Sequence, residues 1–251
     1  MGPTGKIAFA VVLTTSVLFM LQQLLGLFGL VPAPIALEPR VLGVFFGSLL
    51  HVLLHLTALA LVFQVVQAEF GGARMQKGVV YGSSVALLWM LGVLAGAETL
   101  DLPWWQEALR ALADGVGVLF FGLLLGSLLS TADLAYRTPA KGLALLLIGG
   151  SLVMMRFWTA GLDGSFLWTL AVAVSVGWAY ILLGSNPNRR PPLAQALWFG
   201  GLVFGVHWTW LFMYLPLVYA MAPLPILLQA AYDTLAIMIG IWLFEHVRHT
   251  I

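Results

Sequence analysis

The sequence has no cysteine, so disulfides, thiolate metal ligands and cysteine nucleophiles are all excluded. Charge is almost as scarce. Aspartate, glutamate, lysine and arginine make up 8% of the 251 residues, against roughly 25% in a soluble globular domain. So few charges cannot cover a water-facing surface, which rules out soluble enzymes and nucleic-acid binders. The formal net charge of +1 is too small to imply an acidic partner. Familiar catalytic signatures are missing too: there is no H-E-x-x-H, no G-x-S-x-G and no pair of membrane glutamates.

What is abundant is apolar. Hydrophobic residues are 61% of the chain and mean hydropathy is +1.01. The fold class is therefore all-α, a polytopic transmembrane helix bundle. A hydrocarbon core of roughly 30 Å needs about 20 apolar helical residues. Runs at 7–31, 41–67, 78–97, 109–130, 142–161, 165–184, 196–216 and 224–246 qualify, giving about eight spans. Turn chemistry separates them: Val31-Pro-Ala-Pro34, Glu69-Phe-Gly-Gly72, Leu102-Pro103, Gly161-Leu-Asp-Gly164, Thr138-Pro139 and the stretch from Ser185 to Pro192. The first run exceeds the 7–15 residues, roughly, of a signal-peptide core and reads as a retained span. No stretch between spans is long enough to bury a core, so residues 1–251 form a single transmembrane domain.

Orientation follows from lysine and arginine in the short loops. With the N-terminus cytoplasmic, Lys6, Arg74, Lys77, Arg137, Lys141, Arg189, Arg190 and Arg248 lie inside, and Arg40 and Arg110 outside. Both termini are then expected in the cytoplasm, with the protein integral to the cytoplasmic (inner) membrane and multi-pass. Segment 98–108, with Glu98, Asp101, Trp104, Trp105 and Glu107, reads as an outer loop lying at the interface. The expected partners are the lipid bilayer and, as options, other membrane subunits or self-association. Lipid gives helices little apolar reason to associate, so close packing must hold them together. G-x-x-x-G pairs at Gly43/Gly47, Gly92/Gly96, Gly122/Gly126 and Gly201/Gly205 suit that role.

Ionisable groups at membrane depth cost about 2.5–3.5 kcal/mol each on insertion scales, which makes them the best functional clues. His51 and His55 share a face of the second span, His207 sits in the seventh, and Asp233 in the eighth follows Gln229 and Tyr232. At 1.5 Å per residue, His51, His207 and Asp233 fall about 14–16 Å from a membrane face, near one level. They are expected to converge. Asp233 must be protonated, wetted or paired with a histidine or arginine, and Asp233→Asn is expected to be tolerated by the fold. Arg156 and Asp163 flank the outer end of the fifth span and suit an ion pair. Gln22, Gln23 and Gln64 suit interhelical hydrogen bonds, and the deep Trp89, Trp208 and Trp210 need a reason beyond interfacial anchoring.

The first functional expectation is a metal or haem site on His51, His55, His207 and Asp233, open to a redox-linked role. Imidazole favours iron, copper and zinc, and His51 with His207 could be axial ligands of haem b, with Trp208 and Trp210 against the macrocycle. The alternative is a proton-coupled transporter or channel, with Asp233, His207, Gln229, Tyr232 and Arg156 as relay or substrate groups. Transporters often carry interrupted helices, and no proline lies mid-span here. A second alternative is a packing subunit of a larger membrane complex, and each histidine taken singly fits a packing role. Spans two to eight resemble the microbial rhodopsins in topology. The position one turn after Asp233, where that family carries its retinal lysine, is Ile237, so the resemblance implies no retinal site.

Overall fold

The computed structural model describes residues 2–28, 30, 43–99, 103–131, 141–160, 166–183, 190–219 and 221–250. Among these there is no strand, and eight helices are long and apolar enough to cross a membrane. They are α1 (Pro3–Leu27), α2 (Gly43–Glu69), α3 (Arg74–Ala95), α4 (Trp104–Leu129), α5 (Gly142–Thr159), α6 (Phe166–Leu183), α7 (Pro192–Val218) and α8 (Pro223–Arg248). The outside of the bundle is apolar, with Leu27, Phe46, Val65, Met154, Trp158 and Leu167 all exposed. That inverts the surface of a soluble protein and suits a lipid-facing one.

Helices run beyond the expected bounds at the third-to-fourth junction. The helical backbone of α3 continues to Thr99, and α4 starts at Trp104 behind Pro103. The outer loop expected at 98–108 is therefore mostly helix, and Glu107 and Arg110 belong to the first turns of α4, where they form an ion pair of 3.0 Å. Most of the other expected turns, including 31–34, 138–139, 161–164 and 185–189, lie outside the described residues, as do Arg40, Asp101, Arg137 and Asp163. The α2–α3 turn is described. Gly72 takes φ +98 there, a left-handed conformation that glycine adopts without a Cβ penalty.

The closest helix pair is α3 with α4. The two run antiparallel, glycine against glycine. A Cβ on Gly122 would stand 2.4 Å from the Gly82 Cα and 2.5 Å from the Gly78 carbonyl oxygen. One on Gly126 would meet Gly78 Cα and Arg74 O at 2.8 Å. Gly122/Gly126 thus packs as expected, against a second pair, Gly78/Gly82, that the sequence reading passed over. Small residues let the backbones touch, which is how helices gain contact in lipid.

The chain also contains wide turns. Leu145–Gly149 in α5 and Leu197–Gly205 in α7 are π-helical, and each stretch contains or borders a Gly-Gly step, Gly149-Gly150 and Gly200-Gly201. Both pack on α8: a Cβ on Gly240 would stand 2.7 Å from Ile148 Cα, and one on Gly200 would stand 3.1 Å from Met238 Cα. In α7 the helix is interrupted again at Met213 before the last turn, Tyr214–Val218. The two π-helical interruptions therefore exist without a mid-span proline, whereas the one at Met213 comes just before Pro216, which has no N–H to give the Phe212 carbonyl. Wide turns inside helices are common at functional sites, and α7 carries the residues on which both polar groups of the bundle depend.

Candidate functional site

The end where α2, α4, α6 and α8 begin is here termed the far end, and the end holding Pro3 and Arg248 the near end. Polar side chains at membrane depth gather in the far half, in two groups on either side of α7.

The first group surrounds Asp233. It lies ten residues into α8, about 15 Å from the helix start, and is fully buried. Arg156 of α5 grips it with two bonds, Nε to Oδ1 at 2.9 Å and Nη2 to Oδ2 at 2.5 Å. Gln229, one turn earlier on α8, donates to Oδ1 at 3.0 Å. Trp208 of α7 donates its indole N–H to Oδ2 at 2.8 Å. The guanidinium carbon lies 4.6 Å from the centre of the Trp168 ring. That indole is fixed by its own N–H bond to the Leu91 carbonyl of α3 at 2.7 Å, and it stacks on Trp208 at 6.2 Å. Of the three states open to Asp233, the structure selects pairing with arginine. Two parallel bonds to a planar cation are the strongest arrangement available to a buried carboxylate. Asp163, the neighbour expected to pair with Arg156, lies outside the described residues. The partner that is described is 77 residues away in sequence.

The second group is built of rings. His51 and His55 of α2 and His207 of α7 are all buried. His55 Nε2 and His207 Nδ1 share a hydrogen bond of 3.0 Å. The His51 and His55 rings are 5.4 Å apart, edge to face. Trp89 of α3 stacks on His55 at 4.4 Å, 12° from parallel, and Tyr214 packs edge-on against His51 at 5.3 Å. The Tyr214 and Ser48 hydroxyls are 3.4 Å apart. Three ring nitrogens, His51 Nδ1, His55 Nδ1 and His207 Nε2, are buried without a hydrogen-bond partner among the described residues. Trp89 links this group to an acid that the sequence reading missed: its N–H donates to Asp114 Oδ2 at 3.3 Å, and Gln22 of α1 donates to Oδ1 at 2.7 Å.

The predicted single level thus resolves into two sites. His51, His55 and His207 come together. Asp233 does not join them but sits with Arg156, Gln229 and Trp208. Tyr232 joins neither and is exposed on α8. Trp210 lines a groove of about 470 Å³ between α7 and α8 with Thr209, Thr234 and Met238. Gln22 bonds across helices as expected, although to a carboxylate. Among the described residues no group of three or more His, Cys, Asp or Glu is placed to hold a metal ion.

Below the histidines, toward the near end, the interior turns aromatic. Phe63 contacts Tyr81 at 5.1 Å and Phe70 at 6.3 Å, and Phe70 contacts Trp198 at 6.3 Å. The Tyr81 hydroxyl is spent on the Leu59 carbonyl at 2.9 Å. Charge reappears at the near end itself, where Arg190 pairs with Glu69 at 3.1 Å and Glu245 accepts from the Tyr180 hydroxyl with Arg248 beside it.

The chain matches no known family model, and no curated protein or solved structure is significantly similar to it.

Proposed function

We propose that the chain is a proton-translocating membrane protein, a transporter or channel in which His55 and His207 relay protons with His51 beside them. The observation that carries this reading is the His55–His207 hydrogen bond, together with which nitrogens it leaves open. The bond uses Nε2 of one ring and Nδ1 of the other. What remains is Nδ1 of His55 and Nε2 of His207, one open nitrogen at each end of the pair. A proton arriving at His55 Nδ1 releases the one on Nε2 to His207 Nδ1, and His207 releases its own from Nε2. Imidazole is suited to this because each nitrogen can serve as donor or acceptor.

Proteoliposomes with an entrapped pH dye test the relay. Under an imposed pH gradient, His55→Gln and His207→Gln should each lower the flux by about a hundredfold, the lower range for losing a positioned proton carrier. Glutamine keeps hydrogen bonding but cannot pass a proton on. Unchanged flux in both variants, or no flux in the wild type, overturns the relay.

Metal ligation is a second reading, favoured by the same open nitrogens and by that on His51. One transition-metal ion per purified chain, lost in His55→Gln, would replace the relay by this reading.

The proposed orientation has both termini in the cytoplasm. It rests on Lys6, Arg74, Lys77, Arg190 and Arg248 gathering at the near end, opposite Arg110. Reporters inserted at 100–102 and fused after Ile251 should therefore report opposite compartments. The same compartment for both contradicts an even number of crossings.

A further inference from the structure

The Arg156–Asp233 pair has unequal capacity left on its two sides. Asp233 accepts two bonds on each oxygen: Arg156 Nε and Gln229 on Oδ1, Arg156 Nη2 and Trp208 on Oδ2. A carboxylate offers about four acceptor positions, so it is full. The guanidinium has five N–H groups. Two are used, and the remaining three have no acceptor among the described residues. Everything the cluster can still offer is a donor. Among the described residues it has nothing left for a cation and an unfilled demand for an acceptor.

The shape of that demand is specific. Asp233 occupies the side edge of the guanidinium, Nε with Nη2, and leaves the end edge, Nη1 with Nη2. That edge is a second planar fork matching a carboxylate. Trp168 covers one face of the guanidinium and fixes its plane, and Trp208 extends the indole wall. The Arg156 side chain remains 13% exposed while Asp233 is 0%, so of the two partners only the arginine is accessible. Arg156 also lies only three residues from the far end of α5, about 5 Å. A structural ion pair alone gains little, because desolvation commonly cancels its attraction.

We propose that the end edge of Arg156, walled by Trp168 and Trp208, binds a small monocarboxylate as its anion. Asp233 holds the guanidinium in place and reduces its net charge, so that the anion is not trapped. His207 and Trp208 are consecutive on α7, one bonded to the relay and the other to Asp233. A movement of α7 would reach both groups and so link the bound anion to the relay. The coupling rests on the relay proposed above; the binding does not.

The test uses the full chain in lipid nanodiscs, with sodium acetate as probe against sodium chloride and methylammonium chloride at equal ionic strength. Acetate should raise the unfolding temperature in a concentration-dependent way, and the two chlorides should not. Arg156→Lys keeps the charge but loses the fork, and should weaken acetate by about tenfold. Trp168→Leu leaves the ion pair intact and should weaken it by about fivefold, which serves as the readout if the lysine variant does not fold. His207→Gln should lose proton flux and keep acetate binding. Acetate acting no differently from chloride, an undiminished response in both Arg156→Lys and Trp168→Leu, or loss of acetate binding in His207→Gln would each overturn the carboxylate site. Failure of proton flux alone leaves it standing.

Discussion

Asp233→Leu should cost the protein most of its stability, while Asp233→Leu combined with Arg156→Met should restore it. The single change strands a guanidinium between α5 and α8, its two bonds at 2.9 and 2.5 Å gone. Breaking one side of a buried pair typically costs about 3–5 kcal/mol, whereas replacing both sides with apolar groups of similar volume is near neutral or better. The fraction of monodisperse protein surviving a heat step in mild detergent reads this directly. Asp233→Asn should fall between, because the amide keeps hydrogen bonds to Trp208 or Gln229 but does not balance Arg156. This departs from the sequence expectation that asparagine would be tolerated, which treated the aspartate alone and did not see its cation. A single leucine variant as heat-resistant as the wild type would remove the pair from any part in holding α5 to α8.

Gly122→Leu should be comparably damaging. Its first new atom would land 2.4 Å from Gly82 Cα and 2.5 Å from Gly78 O. Both are backbone, so neither can swing aside, and α3 must separate from α4. Overpacking of this kind costs about 1–3 kcal/mol and occasionally more, and here it falls on the closest helix pair. The same substitution at Gly26, where nothing lies within 4 Å, should be silent and serves as control. Because Trp89 rides on α3 and Asp114 on α4, proton flux in any Gly122→Leu protein that survives should also fall. Equal thermal resistance of the Gly122 and Gly26 variants would show that the glycine seam does not hold the bundle.

The spans were legible because twenty apolar residues in a row have few other uses. The depth of His51, His55, His207 and Asp233 was legible for the same reason. Counting along a helix gives height but not azimuth, so residues at one level were expected to meet. They lie instead on two sides of α7. The π-helical stretch Leu197–Gly205, just before His207 and Trp208, changes the turn angle in a way that a period of 3.6 residues does not anticipate. Asp114 was missed through a boundary. With the fourth span begun at 109 it lay close to the membrane face. With α4 begun at Trp104 it is ten residues in, about 15 Å deep. Asp233 was missed as the partner of Arg156 because near neighbours in sequence are the natural first choice for a charge, and Asp233 is three spans further along the chain. Gly78/Gly82 was open to view, but only its meeting with Gly122/Gly126 distinguishes it from other glycines.

The uneven lengthwise distribution of polar side chains has an electrical consequence. With the bundle in a bilayer, the far half, with its histidines, Asp114 and ion pair, is the more polarisable part. The layer of Phe63, Phe70, Tyr81 and Trp198 separates it from the near end. Moving one elementary charge through the full potential is worth about 2.3 kcal/mol per 100 mV. His207 lies eleven residues from the far end of α7 and fifteen from the near end. A proton passing through the proposed relay would therefore do the larger share of that work after it left His207, past the aromatic layer.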